Sequence, residues 1–302
     1  MTSVHPGRLF VQKHGKAEAY EDVLAYADFL RAEAGLDDVV PVDLYAILDH
    51  FQLPQPQSLP LSNQQALLID SECGTILINS EDPAQRQRFS LAHELAEMLF
   101  SVLPQWTGLL RLPGGFRERT KEKLCDCVAA NLLMPSNYVQ QLIQQHNVSL
   151  ECAKFLSDKC DVSLTAALVQ LARLSPRRHF IVLWRMKNKP AEIKKAPRPE
   201  QMALFQMPDI PPPRKLRVEW SIGSPDAPFI PKDKSTEDSS FIFTAWKTNS
   251  FSFGKERMTF DNRSAAWFYS ENMPFESDGE RFVISLIERL GQNSLCCILE
   301  KR

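Results

Sequence analysis

Five residues in two short stretches of the chain have the types and spacing to hold a metal ion and a reactive water. The first stretch, Arg86–Phe100, contains His93, Glu94 and Glu97. If it is helical, His93 and Glu97 sit i,i+4 on one face and can grip one ion, while Glu94, about 100° round the helix, can reach a water on that ion. The second stretch, Lys121–Pro135, adds Glu122 as a further ligand and Asp126, one turn on, as a carboxylate able to orient a ligating histidine. The plainer alternative is that these charges line a surface helix, with Glu122 merely one charge in a Lys/Glu-rich first turn.

Both stretches must be helices for either role. Asp82, Pro83 and Gln85 form an N-cap, first-helical-position and capping-box pattern, so a helix is predicted to begin there. Leu91, Leu95, Met98 and Leu99 cover one side of it and Phe89, Ala92, Ala96 and Phe100 another, which predicts a largely buried helix. Acidic and imidazole groups on a buried helix need partners: a metal, an arginine or a hydrogen-bond network. In the second stretch Cys125, Val128, Ala129, Leu132 and Leu133 follow a helical stripe that Pro135 stops, and the small Ala129 and Ala130 let another helix come close.

The first stretch is a variant of the zinc-protease motif H-E-x-x-H, with Glu97 where the second histidine stands. Together with R-F-S-L-A-H-E-L-A at 88–96, Glu122 three residues before Cys125-Asp126, and A-A-x-L-L-M-P at 129–135, it resembles the ImmA/IrrE family of metallo-endopeptidases. The resemblance covers roughly residues 20–175. It implies a zincin-like fold in which His93, Glu97 and Glu122 hold Zn²⁺ and Glu94 is the general base. It also implies a helix-turn-helix repressor as the protein substrate, cleaved in a stress response that relieves transcriptional silencing. The alternative is a non-catalytic sensor or binding protein on the same fold, because a His-Glu-Glu set carries more negative charge and acidifies water less.

The rest of the chain has the composition of an ordinary water-soluble protein. Its 302 residues are 44% hydrophobic and carry a formal net charge of −2, which argues against a primary nucleic-acid binder. No apolar run approaches the length of a membrane span and the first residues lack a signal-peptide core, so a cytoplasmic protein is expected. Seven cysteines without C-x-x-C spacing, Cys296 and Cys297 adjacent among them, fit buried reduced thiols.

An α+β architecture follows from the pattern of segments. Residues 1–16 are polar and expected to be mobile. Residues 17–176 form the zincin-like domain, with helices over 17–34 and 41–51, a Pro-broken loop over 52–63, and a hairpin of 66–70 and 75–79 turning at Gly74. That hairpin either offers an edge strand to an extended peptide or only roofs the active helix. His50 reads as a helix-end histidine. Trp106 and Phe116, in a loop between the motif helices, either cover the cleft or pack inward. Three helices follow Pro135, the last capped by Ser163, and Asp161–Leu168 reads as core rather than a DNA reader. Residues 177–302 form a β-rich domain, with a Pro-rich loop or linker over 186–214 and strands at 179–185, 216–220, 241–246, 265–269, 282–287 and 295–299. Its aromatic residues suit a sandwich core, or a ligand pocket.

Overall fold

The computed structural model describes residues 4–15, 19–103, 120–195, 213–224, 230–259 and 265–290, and the chain divides into two compact units. The first is Met1–Asn147 with Glu151–Gln170, the second Val148–Leu150 with Leu171–Arg302. Trp106, Phe116, Cys296, Cys297 and the strand expected at 295–299 lie outside the described residues. Among the described residues no helix is long and apolar enough to cross a membrane.

The first unit is built on two facing helices, α4 (Ala84–Val102) and α5 (Thr120–Leu133). Ala92, Leu95, Ala96 and Leu99 of α4 and Val128, Ala129 and Leu132 of α5 have no exposed surface. Alanines bring the backbones together while each fully buried leucine contributes about 1.5–3 kcal/mol. α4 begins at Ala84 after Pro83, one residue later than the Asp82 cap expected from sequence; no side chain caps it. Arg31 of α2 (Tyr20–Glu33), 3% exposed, donates to the carbonyls of Asn131 (2.7 Å) and Leu132 (3.5 Å), putting a cation on the C-terminus of α5. Asn131 Oδ1 in turn accepts from Gln170 Nε2 at 2.9 Å and Ser136 Oγ at 3.0 Å, fixing the end of the helix.

The N-terminus corrects one expectation. Residues 1–16 were expected to be mobile, but Pro6–His14 form a helix, α1, capped by His5 Nδ1 accepting from Arg8 N–H at 3.2 Å. Its Phe10 ring packs edge-on against Tyr26 and Phe29 at 5.2 and 5.3 Å. Gly7 is the contact point with α4: a Cβ there would lie 2.6 Å from the carbonyl oxygen of Met98. Few apolar residues carry this helix, so its charge content hid it from the sequence.

A short helix, α3 (Leu44–His50), is capped by Asp43, and His50 stands at its end as expected. Three strands follow. β2 (Ala66–Asp70) and β3 (Thr75–Asn79) form the expected hairpin, with Gly74 at φ +71. The loop over 52–63 is partly ordered into a third strand: β1 (Gln57–Leu59) pairs in parallel with β3, giving the order β1-β3-β2 with β2 at an edge. All three β1 residues are exposed, so no alternation of burial announces it. Helices α6 (Ser136–Gln145), α7 (Leu150–Cys160) and α8 (Leu164–Leu174) follow Pro135, and Ser163 Oγ accepts from Ala166 N–H at 3.2 Å.

The second unit is one antiparallel sheet of β4 (His179–Lys187), β5 (Lys215–Gly223), β6 (Ser252–Met258), β7 (Ala266–Ser277) and β8 (Glu280–Arg289), ordered β5-β4-β8-β7-β6. Asp278 and Gly279, both at positive φ, make the tight β7–β8 turn. The stretch 241–246, expected as a strand, is a helix, α10 (Phe241–Thr248), because Ser240 caps it by accepting from Phe243 N–H at 3.1 Å. Ile242 and Ala245, three apart, are its buried face, and they pack in the cluster that holds Phe180, Trp184, Val218 and Val283. Within the region expected as a Pro-rich linker, β4 continues to Lys187 and Pro190–Lys195 form a further short helix, α9, so the segment joins two strands of one sheet.

β6 escaped the sequence reading because its exposed positions alternate with half-buried Ser252, Gly254 and Glu256 rather than with large apolar residues. Gly254 is needed there: a Cβ would fall 2.3 Å from the Phe241 ring of α10. A buried polar chain runs through the sheet, in which the Trp184 indole N–H donates to Ser285 Oγ at 3.0 Å and that hydroxyl donates to Asn272 Oδ1 at 2.6 Å.

Candidate metal centre

On α4, one turn apart, His93 and Glu97 face α5. His93 Nδ1 lies 3.0 Å from Asp126 Oδ1, and its Nε2 lies 3.4 Å from Glu122 Oε2. Glu97 is paired with Lys121. The earlier residue of α4 thus meets the later residues of α5 and the reverse, so the two helices run in opposite directions. An ionised carboxylate only accepts hydrogen bonds, so Asp126 fixes the proton on Nδ1 and leaves the Nε2 lone pair for a ligand. Burial opposes a charge on His93, but the Asp126 hydrogen bond and the charges of Asp126, Glu94 and Glu122 outweigh it, and its pKa is raised.

Glu94 is 6% exposed. Burial pushes its carboxyl up to about 7, with Glu97 and Glu122 adding to the rise, while the charge of His93 and the backbone amide of Leu68 on β2 pull the other way. The Leu68 amide ties the hairpin's edge strand to this carboxylate. A carboxyl poised near neutrality is suited to taking and returning a proton.

The ligand atoms of His93, Glu94 and Glu97 lie within 4.8 Å of one another. Two ligands on a tetrahedral zinc stand about 3.4 Å apart, given bonds of about 2.1 Å, so rotation of side chains on fixed helices closes the set. Glu122, with a 72%-exposed side chain, approaches His93 but does not complete that three-atom group; Glu94 does. One imidazole and three carboxylates are a fitting donor set for a divalent metal.

Lys121 is a residue of this centre that the sequence did not single out. Its ammonium supplies to Glu97 the positive charge a metal would, and although burial disfavours that charge, Glu97 holds its pKa above the ordinary value. Cys125, one turn beyond Lys121 and fully buried, has its thiol pushed well up by burial and by the charge of Glu97, so it is an unreactive wall of the site. The five cysteines among the described residues are all free thiols.

Comparison with known proteins places this geometry. Residues 55–172, which include every residue of the candidate centre, match the IrrE N-terminal-like domain. That segment, less than half of the chain, is similar to the IrrE type of metallopeptidase domain. It is 36% identical over 105 residues to the radiation response metalloprotease IrrE of Deinococcus deserti, which is 34% of this chain and 37% of that protein. It is 31% identical over 112 residues to the protein of the same name from Deinococcus radiodurans, covering 35% of this chain and 33% of that one. The chain therefore aligns with about a third of the length of these curated relatives. A solved structure titled Mycobacterium tuberculosis transcriptional regulator shares the fold over 98% of this chain and 86% of its own, with a TM-score of 0.57 at 11% identity.

Proposed function

We propose that the chain is a zinc-dependent endopeptidase of the ImmA/IrrE type, with His93, Glu97 and Glu122 as metal ligands and Glu94 as general base. The observation that carries this reading is the setting of His93: Nδ1 is hydrogen-bonded to Asp126, and Nε2 is directed to the carboxylates around it. The metal, when bound, would supply the positive charge that acidifies a water and polarises a peptide carbonyl. Glu94 takes the proton of the attacking water on a carboxylate oxygen and returns it to the leaving amine, a cycle suited to a carboxyl near pKa 7. β2, an edge strand tied to Glu94 through Leu68, offers backbone groups to an extended peptide. Family resemblance points to a helix-turn-helix repressor as the substrate, and free thiols suit action in a reducing cytoplasm.

The test is Glu94→Gln, which keeps the shape and removes the base. Cleavage of a co-purified helix-turn-helix repressor should be lost while zinc binding persists. Equal cleavage by the variant would assign the activity to another protein.

A second reading is favoured by the Lys121–Glu97 pair. If the lysine permanently fills the place of the metal charge, the fold serves as a non-catalytic binding protein. Zinc content after dialysis separates the two.

A further inference from the structure

We propose that the C-terminal unit carries a binding site for a small organic phosphate with at least two negative charges, at the end of the sheet where β4 begins and β8 finishes. A cavity of about 630 Å³ lies there. That is within the roughly 300–1,000 Å³ range of small-molecule sites. Among the described residues, Arg177, Arg178, Lys255 and Arg289 line it against a single carboxylate, Glu288.

Strand register builds this wall. Lys255 on β6 stands opposite Tyr269 on β7, and Tyr269 stands opposite Glu288 on β8. Directly paired residues share a sheet face, so a cation, a phenol and a carboxylate form one row. Arg177 pairs with Glu288 at 3.3 Å and offsets the charge of that carboxylate. The backbone N–H of Arg289 donates to the carbonyl of Arg178 at 3.2 Å, so these two arginines leave adjacent strand ends side by side. Arg178, Arg289 and Lys255 have no ion-pair partner among the described residues.

Arg178, Arg289 and Lys255 all border the cavity, and a bound polyanion offsets the repulsion among them. Guanidinium groups match phosphate oxygens in pairs, and a lysine adds a point charge. The half-buried Tyr269 ring supplies a flat wall that inorganic phosphate alone would not use, which favours a phosphate attached to a ring. The predominantly polar lining disfavours a lipid tail. The chain's net charge of −2 disfavours a long nucleic acid, whose affinity rests on a broad basic surface.

Calorimetric titration of the full chain tests this with adenosine 5′-monophosphate, pyrophosphate, adenosine and a single-stranded oligonucleotide. Saturable binding of the monophosphate or pyrophosphate is expected, weakening as salt rises, with no binding of adenosine. Arg178→Gln combined with Arg289→Gln should weaken binding by roughly tenfold or more at an unchanged melting temperature. Lys247→Gln, an exposed cation on α10 away from the cleft, should leave it unchanged. The proposal is overturned if neither phosphate probe saturates at millimolar concentration or if the double variant binds as the parent does. It is equally overturned if the oligonucleotide binds more tightly than both phosphate probes, or if the double variant loses its fold and Lys255→Gln, its substitute, binds as the parent does.

Discussion

Glu97 and Lys121, on facing antiparallel helices, form an ion pair at the position where the H-E-x-x-H motif has its second histidine. The pair makes metal binding at this centre a competition between an internal ammonium and an external ion. Lys121→Met should therefore raise zinc affinity by roughly tenfold, equivalent to about 1.4 kcal/mol. A chelator-competition titration reads this directly, and unchanged or weaker affinity would show that Lys121 does not compete.

Glu97→His alone should gain less than the motif suggests, because it leaves the Lys121 ammonium facing an imidazole. The double change Glu97→His with Lys121→Met should bind zinc more tightly than either single change. If Glu97→His alone binds as tightly as the double variant, the lysine has no part in setting affinity.

Asp126→Asn tests the orientation of His93. The amide no longer fixes the Nδ1 proton, and zinc affinity should fall by about 10- to 100-fold, as loss of such a supporting carboxylate does elsewhere. Asp126 is half exposed, so the melting temperature should barely move. A parallel loss of stability and affinity would mean that Asp126 only holds the helices together.

Much of this centre was legible before the structure, and what was not has a physical reason. His93 and Glu97 share a face because their spacing matches a helical turn, and the apolar stripes of α4 and α5 announce burial. The Lys121–Glu97 pair depends on the register between two helices, which no single-helix periodicity contains. β6 is missed and α10 misread for a related reason: a glycine-containing edge strand lacks large apolar alternation, and an aromatic run reads as a strand until Ser240 is recognised as a cap. β1 has no buried residue to betray it.

The metal-free protein should lose stability as pH rises through the window set by Glu94. Its carboxyl titrates at about 7 when folded and at the ordinary 4.5 when unfolded. Between those values the native state binds more protons, so unfolding becomes easier with rising pH, by roughly 3 kcal/mol across the window. Urea denaturation of chelator-treated protein at a series of pH values measures this. Glu94→Gln should remove that part of the slope, and an identical slope in both proteins would contradict the assignment.

Gly7→Ala tests the docking of the N-terminal helix. The added methyl meets the Met98 carbonyl at 2.6 Å, backbone against backbone, so α1 must shift. A loss of about 1–3 kcal/mol is expected from such overpacking. Neutral behaviour in thermal melts would show that α1 is not held against α4.

Zinc titration of the full chain beside His93→Ala and Glu122→Gln is the most direct measurement of the metal centre. The parent should bind zinc saturably, His93→Ala should abolish that binding, and Glu122→Gln should weaken it by roughly 10-fold or more, both variants melting as the parent does. Failure of the parent to bind zinc, or undiminished binding by His93→Ala, would contradict the account.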